Sequence, residues 1–152
     1  MTVIEALQRA PLFKEFSRAG LETFAEVARP RAVAAGSAVF EEGAAGEALL
    51  VIVSGTLRVS QRAAQGGERE LATLGPGQHL GTLGLLAKTV HLVSATAATD
   101  LELLELPRRE FFKKAQEKPV TCLKLAAVIA GDLARSAAES QHALRELMAH
   151  ED

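Results

Sequence analysis

Only one cysteine, Cys122, stands in this chain of 152 residues, so no intrachain disulfide can form. That suits a reducing, cytoplasmic setting. Cys122 lies among apolar residues in a helical pattern and reads as a buried core thiol. An excess of one charge is missing too. The 17 lysines and arginines against 19 aspartates and glutamates leave a net charge of −2. Such a balance gives no basic footprint for nucleic-acid phosphates. Long apolar runs are lacking: Leu125 to Gly131 is the longest, and Asp132 ends it. A run of that length cannot span a bilayer. The N-terminus also lacks the basic-then-apolar layout of a signal peptide.

Marks of catalysis are equally scarce. The histidines at 79, 91, 142 and 150 have no metal-ligand spacing, and no carboxylate or cysteine cluster joins them. Glu41 and Glu42 are neighbours in a turn, Ser54 and Ser94 lack a nearby base, and Gly75 and Gly77 have no βαβ context. The expectation is therefore no catalytic residue, no metal and no enzyme.

What is present is a chain punctuated by glycine. Thr2 to Ala10 has helical spacing that Pro11 interrupts, and Ser17 is placed to cap a second helix with Leu21, Phe24, Ala25 and Ala28 on one face. Pro30 is expected to close it, with a new period from Arg31. Five stretches between glycines then read as strands: residues 38–40, 49–53, 56–60, 70–74 and 101–106. Gly66 and Gly67 make a hairpin tip, since both accept positive φ. Many short strands with glycine turns imply an antiparallel β-roll, mainly β and jelly-roll-like, with helices at either end. Pro107 opens a short helix over 108–116, and Pro119 opens the longest periodic segment. Residues 1–118 thus form the roll with its helical lead-in, and 119–152 a C-terminal helix.

Along that helix Leu123, Ala126, Ala130, Leu133, Ala137, Ser140, Leu144 and Leu147 recur in steps of three and four. This heptad-like seam of small residues fits a dimer interface, with Ala126, Ala130, Leu133, Ala137 and Leu144 as its candidate contacts. A helix lying back on its own domain would need only one stripe. Leu125, Val128 and Ile129 form a second strip suited to packing on the roll.

Residues 75 to 100, GPGQHLGTLGLLAKTVHLVSATAATD, organise the rest. They read as a turn and strand, one glycine-led helical turn, a loop and another strand. The frame Leu80-Gly81-Thr82-Leu83-Gly84-Leu85-Leu86, followed by Val90-His91-Leu92-Val93-Ser94, resembles the phosphate-binding cassette of cyclic-nucleotide-binding domains. That family pattern runs F-G-E-L-A-L-L and then P-R-x-A-T/S. Residues 35–46, 49–57 and 71–77 resemble the family's other turn and strand motifs in the same order. The resemblance covers about residues 11–118.

It implies a cleft built by Gly81, Thr82, Leu83, Gly84, His91, Leu92 and Ser94, taking a cyclic nucleotide through backbone N–H groups. Two positions depart from the pattern. Thr82 stands where the family has its ribose-binding glutamate, and His91 where it has its phosphate-binding arginine. Losing both charged contacts costs about 3 kcal/mol, or about a hundredfold in affinity. Lys88 is near enough in sequence to restore a cation, and Leu92 is large enough to crowd the phosphate. The expectation is a non-enzymatic regulatory module with a degenerate cleft, acting through a protein partner or as a homodimer. The alternative is a sensor for a weakly held cyclic mononucleotide or a cyclic dinucleotide. No DNA contact is expected, because the family's DNA-binding members continue past the long helix and this sequence stops at Asp152.

Overall fold

A computed structural model of the chain describes residues 1–150, the last of these by its backbone alone; the side chain of His150 and residues 151–152 of the expected helical part lie outside the described residues. Helix α1 (Val3–Arg9) begins where the Thr2 hydroxyl accepts from the Glu5 N–H. A 3-10 turn at Pro11–Phe13 breaks it, and α2 (Arg18–Ala25) starts under a Ser17 cap that accepts from Gly20. The helix ends at Ala25, earlier than Pro30, which instead lies within strand β1 (Arg29–Val33). That position tolerates a proline because β1 is an edge strand, where a missing N–H removes nothing from the ladder.

The roll continues with β2 (Ala38–Phe40), β3 (Ala45–Gly46), β4 (Ala48–Ser54), β5 (Leu57–Arg62), β6 (Glu68–Leu74) and β7 (His79–Leu80). After these come α3 (Thr82–Leu86), β8 (Thr89–Val90), β9 (Ser94–Ala97) and β10 (Leu101–Pro107). Helices α4 (Arg108–Glu117) and α5 (Pro119–His150) complete the described chain. One sheet has the order β1-β10-β4-β7, the other β2-β9-β5-β6, and β3 with β8 forms a small third ladder. Every pairing is antiparallel. The expected β-roll with helices at both ends is the fold observed.

Strand β4 shows why its sequence is apolar without alternation. Leu50 and Ile52 face the inside of the roll with Val33, Val39, Leu57, Leu101 and Leu103. Leu49 and Val51 face the opposite side, against Leu7, Phe13, Phe24, Leu104, Leu106 and Phe111. A strand covered on both faces needs a continuous run, and each buried leucine contributes roughly 1.5–3 kcal/mol. The root of α5 belongs to the second of these cores: Cys122, Leu125 and Ile129 are buried there and Val128 is half-buried. From Ala134 to Ala149 every residue of α5 is exposed. The long helix therefore has a rooted half and a projecting half.

Candidate ligand cleft at the helical turn

Strand β7 is held to β4 by the pairs Leu50–Leu80 and Val51–His79, which deliver the chain to Gly81. Gly81 turns it with φ of 85°, and a Cβ there would sit 2.5 Å from the Ala48 carbonyl oxygen. Only glycine fits both the left-handed backbone and that approach. One turn of α3 follows, anchored by the fully buried Leu85. Gly84 rests on β3, where a Cβ would meet the Gly46 carbonyl carbon at 2.9 Å. Both glycines are thus demanded by packing, with or without a ligand. Their presence by itself therefore carries no weight for an anion site.

A residue that the sequence does not single out fixes this turn. Nη1 of Arg108 donates to the carbonyls of Gly46, Gly84 and Ala87, each at 2.9 Å, while its backbone N–H donates to Glu47 at 2.8 Å. One half-buried guanidinium thereby ties β3, both the body and the end of α3, and the start of α4 together. Arg108 and Arg109 look alike in sequence, and only the helix phase and the long-range fold decide which one turns inward.

Above α3 lies a cleft of about 190 Å³. That is below the roughly 300 Å³ at which small-molecule pockets usually begin. Gly81, Thr82, Leu83, Gly84, His91 and Leu92 all line it, so six of the seven residues implied by the resemblance converge. The seventh, Ser94, stands apart: its hydroxyl accepts from the Glu42 N–H at 2.9 Å and so pins the turn before β3. Leu83 and Leu92 are exposed at the rim, Leu92 to 70%. Lys88 is exposed and is not part of the lining. Phe40 from β2 and Leu133 from α5, which the sequence reading does not place at the cleft, also face it.

His91 is the one titratable side chain of the cleft among the described residues. Its ring lies flat on Phe40, with centroids 3.6 Å apart and planes 10° from parallel. Its backbone exchanges hydrogen bonds of 2.8 Å with the turn before β3, donating to Ala44 and accepting from Gly43. Burial pushes the imidazole below its usual value of 6.5, so it is neutral at physiological pH. Thr82 brings no charge either. The cleft therefore offers backbone dipoles and apolar walls.

Among the described residues no group of His, Cys, Asp and Glu assembles to hold a metal ion. None of the described helices is long and apolar enough to cross a membrane. On α5, Ala130, Ala137 and Leu144 are exposed, while Ala126 and Leu133 are half-buried.

Residues 30–118, more than half of the chain, match the family model described as cyclic nucleotide-binding domain. The chain is 32% identical to the cyclic AMP receptor protein of Thermus thermophilus, across 82% of its own length and 57% of that protein's. It is 35% identical to lysophospholipase NTE1 of Chaetomium globosum across 64% of its own length, but only 6% of that protein's. It thus spans a little over half of the receptor and a small piece of the lipase. The crystal structure of the Thermus thermophilus catabolite activator protein superposes with a TM-score of 0.80 at 31% identity, covering 91% of this chain and 63% of that one. With the roll, the glycine-led helical turn and the long helix all in place, this chain belongs to the cyclic nucleotide-binding domain family.

Proposed function

We propose that this regulatory domain no longer takes a cyclic mononucleotide in its family's manner, and that it acts by contact with protein, a second copy included, through α5. The observation that carries the reading is His91 lying flat against Phe40 and held neutral by burial. A cyclic phosphate entering the cleft would meet no cation, because Lys88 lies outside the lining and Arg108 is committed to three carbonyls. Its ribose would meet Thr82, an uncharged and shorter acceptor than glutamate. An absent ion pair and an absent charged hydrogen bond together weaken binding by about a hundredfold or more. The reading includes no catalysis. For protein contact α5 offers Leu123, Ala130, Ala137, Leu144 and Leu147, apolar and exposed along one seam.

Calorimetric titration with cyclic AMP, cyclic GMP and cyclic di-GMP, at about pH 6 and about pH 8, tests this. Silence down to roughly millimolar affinity at both values is expected. Micromolar binding that tightens at the lower pH would overturn the reading, since it would mean that His91 leaves Phe40 and takes the arginine's part.

One observation favours a second reading. Leu133 of α5 lines the cleft, so any ligand there touches the helix that bears the seam. In that reading the domain is a sensor of a weakly held cyclic mononucleotide, or of a cyclic dinucleotide. Binding of cyclic di-GMP alone in the same titration would select it.

A further inference from the structure

Helix α4 presents two kinds of surface. Phe111 is buried, Lys114 is clasped by Glu26 at 2.6 Å and Glu117 at 2.8 Å, and Glu110 reaches Arg29 at 3.4 Å. These residues fasten the helix to the molecule. The other face carries Arg109, Phe112, Lys113 and Gln116 at positions i, i+3, i+4 and i+7, all exposed and all on one stripe. With Glu47 and Pro107 they line a cleft of about 610 Å³. Neither Arg109 nor Lys113 has an ion-pair partner among the described residues. Phe112 is 48% exposed, whereas the other five phenylalanines are buried or half-buried. Its ring is also held in orientation by an edge contact with Phe111, at 5.7 Å between centroids.

We infer that this outer face of α4 is a docking groove for an acidic segment of a partner protein, its carboxylates on Arg109 and Lys113 and an apolar side chain on Phe112. An isolated exposed apolar residue needs no explanation, and nor does a solvated lysine. Here an oriented aromatic stands between two cations that have no ion-pair partner among the described residues, beside a cleft of about 610 Å³. A partner with both carboxylates and apolar side chains complements both features, whereas a purely charged one would leave Phe112 in water. Glu47, whose carbonyl receives the Arg108 N–H, lines the groove at the start of α4 and repels a carboxylate there. The groove also adjoins the helical turn, because Arg108, next to Arg109, holds the carbonyls of Gly46, Gly84 and Ala87. An occupant of the groove would therefore press on the wall of the cleft. The inference rests on the regulatory reading only in supposing a protein partner; it does not require assembly through α5.

Fluorescence anisotropy of a short labelled peptide of glutamates and leucines tests it on the full chain. The controls are a lysine-leucine peptide and a single-stranded oligonucleotide. The acidic peptide alone is expected to bind, and more weakly as salt rises. Arg109→Glu with Lys113→Glu, and separately Phe112→Ser, should each weaken it by roughly tenfold or more. Both variants alter exposed positions and should keep the parent's melting temperature and its mass by light scattering. Three outcomes would overturn the inference. They are equal binding of the oligonucleotide, peptide binding indifferent to both variants, and a changed mass in the variants that moves the effect to assembly.

Discussion

Ser60 on β5 is 2% exposed, and its hydroxyl has no hydrogen-bond partner among the described residues. A buried donor left unmade is a cost that a methyl group does not carry. Ser60→Ala should therefore stabilise the fold by about 1 kcal/mol, read as a higher urea midpoint with an unchanged slope. A loss of stability would mean that the hydroxyl is satisfied in solution. Single side chains also decide what the cleft is. His91 stands where the resemblance implies a cation, yet Phe40 covers one face of its ring and burial lowers its proton affinity. Ser94, by contrast, spends its hydroxyl on the Glu42 backbone, which is a structural duty.

Elements were legible in the sequence to the degree that their causes are local. Ser17 caps its helix as residue type and spacing require, and the run 49–53 declares a strand, though not that both its faces are covered. Strand β1 escaped because Pro30 reads as a breaker unless the strand is known to be an edge. The two-residue strands β3 and β8 exist only through their pairing with each other, and no local pattern announces them. In the cleft, the segment 81–92 was visible because it is contiguous. Phe40, Leu133 and Arg108 arrive from other elements, and only the tertiary fold selects them.

Helix α5 shows both sides of this. Its packing strip at Leu125, Val128 and Ile129 was apparent and lies on the core, while the seam through Ala130 and Ala137 faces solvent. Charge placed on that seam should dissociate an assembly without disturbing the roll. Ala130→Glu with Ala137→Glu is expected to lower the mass in light scattering and to shift stability by no more than about 0.5 kcal/mol per site. An unchanged mass would remove α5 as the interface.

For the whole molecule, two histidines link stability to pH. Burial holds His79 and His91 below 6.5, with the Asp132 carboxylate on α5 opposing part of the shift at His79. Between the lowered folded values and the ordinary unfolded one, the unfolded chain binds more protons. Stability from this source is thus complete above about pH 6.5 and is lost as pH falls through the folded values. Glu117, held down by Lys114, gives up its part only further down, in the carboxylate range. The thermal midpoint should be lower at about pH 5.5 than at about pH 7.5, and the difference should shrink in His79→Gln with His91→Gln. An undiminished difference would assign the acid sensitivity to other groups. The two halves of α5 carry a further consequence. At about 1.5 Å per residue, its 32 residues reach about 48 Å, and from Ala134 to Ala149 all of them are exposed. The rooted half supplies the helical nucleus, but most helical stability in proteins comes from burying an apolar face, and the outer half buries none. The outer half thus adds no packing to its backbone hydrogen bonds, and whatever settles on it supplies the burial that the chain itself does not.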